Sequence, residues 1–243
     1  MIEGEKLGSF WGYTFAGIWQ EDEVNAPFVD ANGQTNGKTN GEVYKVKPGN
    51  SKYVDINKDG VYNDADQGII GCGQPTFNWG WNNTFNYKNF DFSFFVVGFH
   101  GFDIYNATHQ MGYNLIKSQQ VAGVTPMREL LNRWTPTNTN TNIPGFVNGG
   151  TENKDFFSTR FVENGSFIKM KSITLGYTLP ETACRALGIT NLRVYASVQN
   201  PFHITNYSGL DPEATMGSPL VQGVDWGSYP NSRNYLIGLN FSF

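Results

Sequence analysis

Between Phe77 and Tyr87 the large rings Phe77, Trp79, Trp81, Phe85 and Tyr87 alternate with Asn78, Gly80, Asn82, Thr84 and Asn86. Side chains of an extended strand point to opposite faces in turn, so this run has one apolar and one polar face only if it is a β-strand. A helix would scatter the same rings around its circumference. The pattern returns near the end of the chain, where Tyr235, Ile237, Leu239, Phe241 and Phe243 alternate with Asn234, Gly238, Asn240 and Ser242, interrupted by Leu236. A third copy sets Leu192, Val194, Ala196 and Val198 against Asn191, Arg193, Tyr195, Ser197 and Gln199, and weaker copies occupy 10–19, 90–99 and 166–179.

Composition agrees with an all-β chain: 15% aromatic residues and 28 glycines against 16% charged residues favour many short strands joined by tight turns. The longest apolar stretch, 94–99, is broken by Gly98 and falls far short of the roughly 18 residues a spanning helix requires. A net charge of -4 provides no basic patch, so nucleic acid is not an expected partner. Met1-Ile2-Glu3-Gly4-Glu5 has no charged region followed by an apolar one, which implies a removed signal peptide or a fragment. Two cysteines, Cys72 and Cys184, provide no disulfide framework.

Two architectures have strands with one apolar side. In a soluble sandwich that side meets a second sheet; in a transmembrane barrel it meets lipid, while polar side chains line the lumen. Connector lengths separate them. Lys88-Asn89 joins one pair of runs and a turn at Pro180-Glu181-Thr182 joins another, whereas 20–76, 101–165 and 201–233 are long and polar. Long and short strictly alternate, as short periplasmic turns and long extracellular loops do in outer-membrane barrels. With Phe243 in the periplasm, the parity places every long connector outside. It also places Cys72 and Cys184 on opposite membrane faces, beyond the about 7 Å reach of a disulfide, so two thiols are expected. An aromatic chain end fits the same picture, since soluble termini fray and need no terminal ring.

These segments resemble the closing strands of SusC/RagA-type TonB-dependent receptors. The similar stretches are Gly12-Tyr13-Thr14-Phe15-Ala16-Gly17-Ile18-Trp19-Gln20, Asp55-Ile56-Asn57-Lys58-Asp59-Gly60, Phe77-Asn78-Trp79-Gly80-Trp81-Asn82-Asn83, Arg160-Phe161-Val162-Glu163-Asn164-Gly165-Ser166-Phe167, Ile173-Thr174-Leu175-Gly176-Tyr177-Thr178-Leu179-Pro180, Tyr207-Ser208-Gly209-Leu210-Asp211-Pro212-Glu213 and the last strand. Their order and spacing make the match specific. The resemblance implies that 1–243 is the C-terminal part of a transmembrane antiparallel β-barrel in the outer membrane of a Gram-negative bacterium, with long extracellular loops. It implies import of oligosaccharides or peptides without catalysis, with TonB supplying energy and a SusD-like surface lipoprotein as partner. Such barrels have roughly 22 strands around a plugged lumen, so about six strands here leave the plug, the TonB box and most of the wall elsewhere.

Within the first long connector, the segment from Asp55 to Asp66 fits an EF-hand-like calcium loop. Asp55, Asn57, Asp59 and Asp66 are the direct ligands of that pattern, Val61 offers its carbonyl, Asn63 acts through water, and Gly60 takes the sixth place where the chain turns sharply. The final Asp in place of Glu resembles dockerin-type loops. The competing reading is a hydrated Asx-rich turn without metal. A bound Ca2+ would be structural, stiffening an extracellular loop.

His100, His109 and His203 lack metal-ligand spacing. Leu115, Val121, Leu130 and Leu131 have helical spacing within 107–134, which suggests short helices. Two rivals to the importer remain: a secreted β-sandwich carbohydrate-binding module with a calcium loop, using Trp19, Trp79 or Trp81 as sugar platforms, and a glycoside hydrolase fragment using Glu21 or Glu23.

Overall fold

The computed structural model describes residues 4–113, 127–145, 156–186, 188–216 and 222–243. Its elements run in chain order as β1 (Ser9–Tyr13), β2 (Phe15–Ile18), α1 (Glu21–Asn25), β3 (Pro27–Val29), β4 (Thr35–Thr39), α2 (Asn40–Tyr44), β5 (Ser51–Tyr53), β6 (Gln67–Cys72), β7 (Phe77–Tyr87) and β8 (Phe90–His100). There follow β9 (Asp103–Asn106), α3 (Ala107–Tyr113), β10 (Val162–Asn164), β11 (Phe167–Thr178), α4 (Glu181–Ala186), β12 (Asn191–Gln199), β13 (His203–Thr205), β14 (Val224–Asp225) and β15 (Asn234–Ser242). Two compact units result, one of Met1–Cys72, Tyr105–Glu163 and Val224–Gly227, the other of Gly73–Ile104, Asn164–Gly223 and Ser228–Phe243.

The first unit is built of short ribbons around rings. β1 pairs with β6, β2 with β5 and β3 with β4, all antiparallel. Phe10, Tyr105, Ala107 and Phe161 form one buried cluster, with Tyr105 stacked on Phe157 at 3.8 Å. Trp19, Val24 and Val46 form another beneath the two short helices. Helix α1 begins with a capping box, in which Glu23 accepts from the Gln20 backbone N–H, and its acidic first turn suits the helix dipole.

The run 10–19 does not form the single barrel strand its pattern predicts. It breaks at Thr14 into β1 and β2, each bulged, and the two pair with different partners. Close packing explains part of the break: a Cβ on Gly12 would lie 2.3 Å from the Phe157 carbonyl, and Gly17 sits at φ 118, a conformation that side chains rarely adopt. Among the described residues five long strands remain, and short β13 completes a six-stranded sheet.

Those five make the sheet of the second unit, ordered β15-β12-β11-β8-β7, with short β13 beside β11 and every pairing antiparallel. Strands adjacent in sequence lie adjacent in space, as in a meander. All long connections leave from one end of the sheet and both short ones from the other. Lys88 at φ 53 closes the tight β7–β8 turn. The turn expected at Pro180-Glu181-Thr182 instead opens helix α4, of which Cys184 is the buried residue. Cys72 and Cys184 are both thiols.

Candidate membrane face and Asx-rich loop

Cross-strand partners share a face, so the register sorts every side chain of the sheet. One row crosses all five strands as Phe85, Phe92, Leu175, Ala196 and Ile237. The neighbouring row, on the other side, reads Thr84, Ser93, Thr174, Ser197 and Leu236, the last being the interruption already visible in the sequence. One face is thus largely apolar, broken by Asn83 opposite Phe94, and carries Trp79, Trp81, Phe94, Val194, Leu239 and Phe241 as well. Much of it is open, with Ile237 82%, Phe241 61% and Trp81 54% exposed. Soluble proteins rarely leave so wide an apolar surface uncovered.

Strand length fits a bilayer. The nine residues of β15, at about 3.4 Å each and tilted by about 40°, reach a height of roughly 23 Å, close to the about 25 Å apolar band of outer-membrane barrels. The longer β7 and β8 exceed that height.

The opposite face carries hydrogen bonds and charges. Thr174 and Ser197 hydroxyls lie 2.8 Å apart. Arg193 donates two bonds to Asp91, at 2.9 and 2.6 Å, while its guanidinium lies over the Tyr195 ring. Toward the long-connector end, Lys169 is 2% exposed and donates to Asp211 at 2.8 Å and to Glu213 at 2.7 Å. Lys171 donates to the other oxygen of Glu213, and Asn231 donates to Asp211 through both its backbone and its side-chain nitrogen. Burial alone would push the Asp211 and Glu213 carboxyls up, but the lysine ammonium groups and backbone N–H donors outweigh it and hold both below the usual range.

The Asx-rich loop adopts the turn its sequence dictates. Gly60 sits at φ 82, and its N–H donates to Asp55 at 2.9 Å. Asn57, Asp59 and Asn63 each accept from a backbone N–H two residues on, as Asx turns do. Asp66 is buried and accepts from the N–H groups of Ile56 and Asn63. The Val61 N–H, then the Asn57 amide, hold the Asp59 carboxyl below its ordinary value. Tyr44 donates to Asp55 Oδ2 at 2.8 Å, whereas Asp55 Oδ1 is buried without a partner. Burial, followed by that bond to Asp55, raises the Tyr44 hydroxyl far above its ordinary value, and burial pushes neighbouring Tyr62 up to about 12. Among the described residues no three His, Cys, Asp or Glu side chains converge as a metal site. The loop thus has the backbone of the calcium pattern, with Asp55, Asn57, Asp59, Asn63 and Asp66 engaged largely in bonds to the loop itself.

The other sequence candidates take structural places. Glu23 caps α1 and pairs with Lys52 at 2.7 Å. Trp19 is 4% exposed, with Lys52 over its ring, so it offers no sugar platform. His100 accepts from the Trp79 indole at 3.1 Å, His109 lies 3.6 Å from Glu163, and His203 pairs with Lys169 in the sheet. Short helices do occupy Ala107–Tyr113 and Arg128–Asn132, the latter with Leu130 and Leu131; Leu115 and Val121 lie outside the described residues. The Lys169 network escaped the sequence reading, because its acids stand 42 and 44 residues away and alternation marks Lys169 only as a polar-face residue.

A comparison with protein-family models gave no match. The chain is 34% identical over 247 residues to TonB-dependent receptor P3 of Formosa agariphila, covering 99% of this chain and 22% of that protein. It is 31% identical to TonB-dependent receptor P26 of the same organism and, over 81% of its length, 30% identical to TonB-dependent receptor SusC of Bacteroides thetaiotaomicron. It spans about a fifth to a quarter of the length of these relatives. Among solved structures it resembles the RagAB peptide transporter, with a TM-score of 0.69 and 23% identity across 97% of this chain and 22% of that one, a likeness of fold.

Proposed function

Because the chain belongs, as a stretch about a fifth of their length, with the TonB-dependent receptors of the SusC/RagA type, we propose that it is the C-terminal part of the barrel wall of a nutrient importer in a Gram-negative outer membrane. The observation that carries this reading is the single apolar face running across five strands, exposed on one side and backed by hydroxyls, amides and paired charges on the other. Lipid would cover the first face and water would wet the second. Outer strands β7 and β15 would continue into the remaining wall, since an open sheet edge is unsatisfied in hydrocarbon.

In this reading the complete receptor imports an oligosaccharide or a peptide, draws energy from TonB, and works with a SusD-like surface lipoprotein. The chain's part is passive: it shapes and holds the conduit. Deleting the receptor gene should abolish growth on its cognate nutrient, and loss of TonB should do the same. Growth that persists in both strains would count against import.

The Asx-rich loop is proposed to hold Ca2+ through Asp55, Asn57, Asp59, Val61, Asn63 and Asp66 as a structural ion. Its support is the glycine at the sixth place and the unpartnered Asp55 oxygen.

A further inference from the structure

The connector that follows β13 does not extend away from the sheet. Tyr207 packs into the buried cluster of Val97, Phe102, Ile104 and Phe167, on the polar side of the sheet. Four residues later Asp211, and then Glu213, close on Lys169, which projects from that same side. Asn231, from the approach to β15, is tied to both acids. A polar connector loses hydration by lying here, and a buried ion pair is weak evidence of stabilisation when apolar packing of equal volume would serve. What such a network does supply is a fixed position.

Resting on the importer reading, in which the polar face lines the lumen, we propose that Tyr207–Met216 is an inward-folded constriction latched by Lys169, and that it limits the size of solute reaching the lumen wall. Lys169 acts as a positioning residue. It touches no solute itself but holds the acids, and through them the connector, against the polar face.

The test uses the complete receptor in whole cells, in a Cys72→Ser, Cys184→Ser background, with Ser172→Cys as reporter on the polar face just beyond the latch. Maleimides of increasing size are added from outside. The constriction predicts that the small reagent labels and the large one is excluded. With Lys169→Met, labelling by the large reagent should rise roughly tenfold or more, equivalent to about 1.4 kcal/mol less closing energy, and Lys169→Arg should restore exclusion. Unchanged exclusion in a folded Lys169→Met receptor would overturn the latch. Should that variant fail to fold, Asn231→Ala keeps the ion pairs and should shift the limit in the same direction; no shift there also overturns it. A reporter that not even the small reagent reaches in either receptor would overturn the constriction, while growth of the wild type on its nutrient keeps the importer reading beneath it.

Discussion

Replacing Leu239 by arginine discriminates between the two faces of the last strand with a magnitude the structure supplies. Gly238 is the central residue of the nine in β15, so Leu239 lies one residue from the middle and Tyr235 three. At about 2.6 Å of height per tilted residue, these are roughly 3 Å and 8 Å from the midplane. A lipid-facing arginine costs about 2–4 kcal/mol at the midplane and about 0–1 near the interfaces. Leu239→Arg should therefore lower the folding constant roughly 30- to 700-fold, Tyr235→Arg clearly less, and Asn240→Arg, on the polar face, about 0.5 kcal/mol or less. Urea unfolding of the receptor from phospholipid vesicles reads all three. Equal costs for Leu239→Arg and Asn240→Arg would refute the assignment of faces.

Other expectations follow from the charged groups and the loop. Because Asp211 and Glu213 titrate below their ordinary range when folded, their contribution is complete at neutral pH and fades as pH falls from about 4 through the depressed values. Urea midpoints of the wild type should decline in that acid window, and Lys169→Met should flatten the decline while costing about 3–5 kcal/mol at neutral pH. Asp91→Asn, in a partly exposed pair, should cost only about 1 kcal/mol or less in the same assay. Ca2+ titrated calorimetrically should bind with roughly millimolar affinity and fail to bind an Asp55→Ala variant; no heat in the wild type removes the ion from the loop. Alkylation after denaturation without reductant should modify both cysteines, and modification of neither would indicate a disulfide.

Much of the sheet was legible in the sequence because its strands are amphipathic over their whole length. Trp79, Trp81, Ile237 and Leu239 announce both their period and their face, and a two-residue link at Lys88-Asn89 fixes which run pairs with which. The short ribbons were not legible. β1 finds β6 more than fifty residues away through a stretch, Gln67-Gly68-Ile69-Ile70-Gly71-Cys72, that has no alternation of its own. Helix α4 hid in a segment where tight connectors were expected. The Lys169 latch was invisible for a related reason: charge complementarity between distant residues leaves no periodic trace, and only the fold brings Asp211 and Glu213 to a lysine inside a strand. The Asx turns of the calcium-like loop were readable at once, since they form between residues two apart.

Which medium meets the aromatic rings of β7 decides the account. Tryptophan fluorescence of the receptor in vesicles, quenched in turn by brominated acyl chains and by aqueous iodide, reads it directly. Loss on Trp81→Phe of a signal quenched by the brominated lipid and spared by iodide is the predicted result. A Trp81 signal quenched by iodide and untouched by brominated lipid would contradict it.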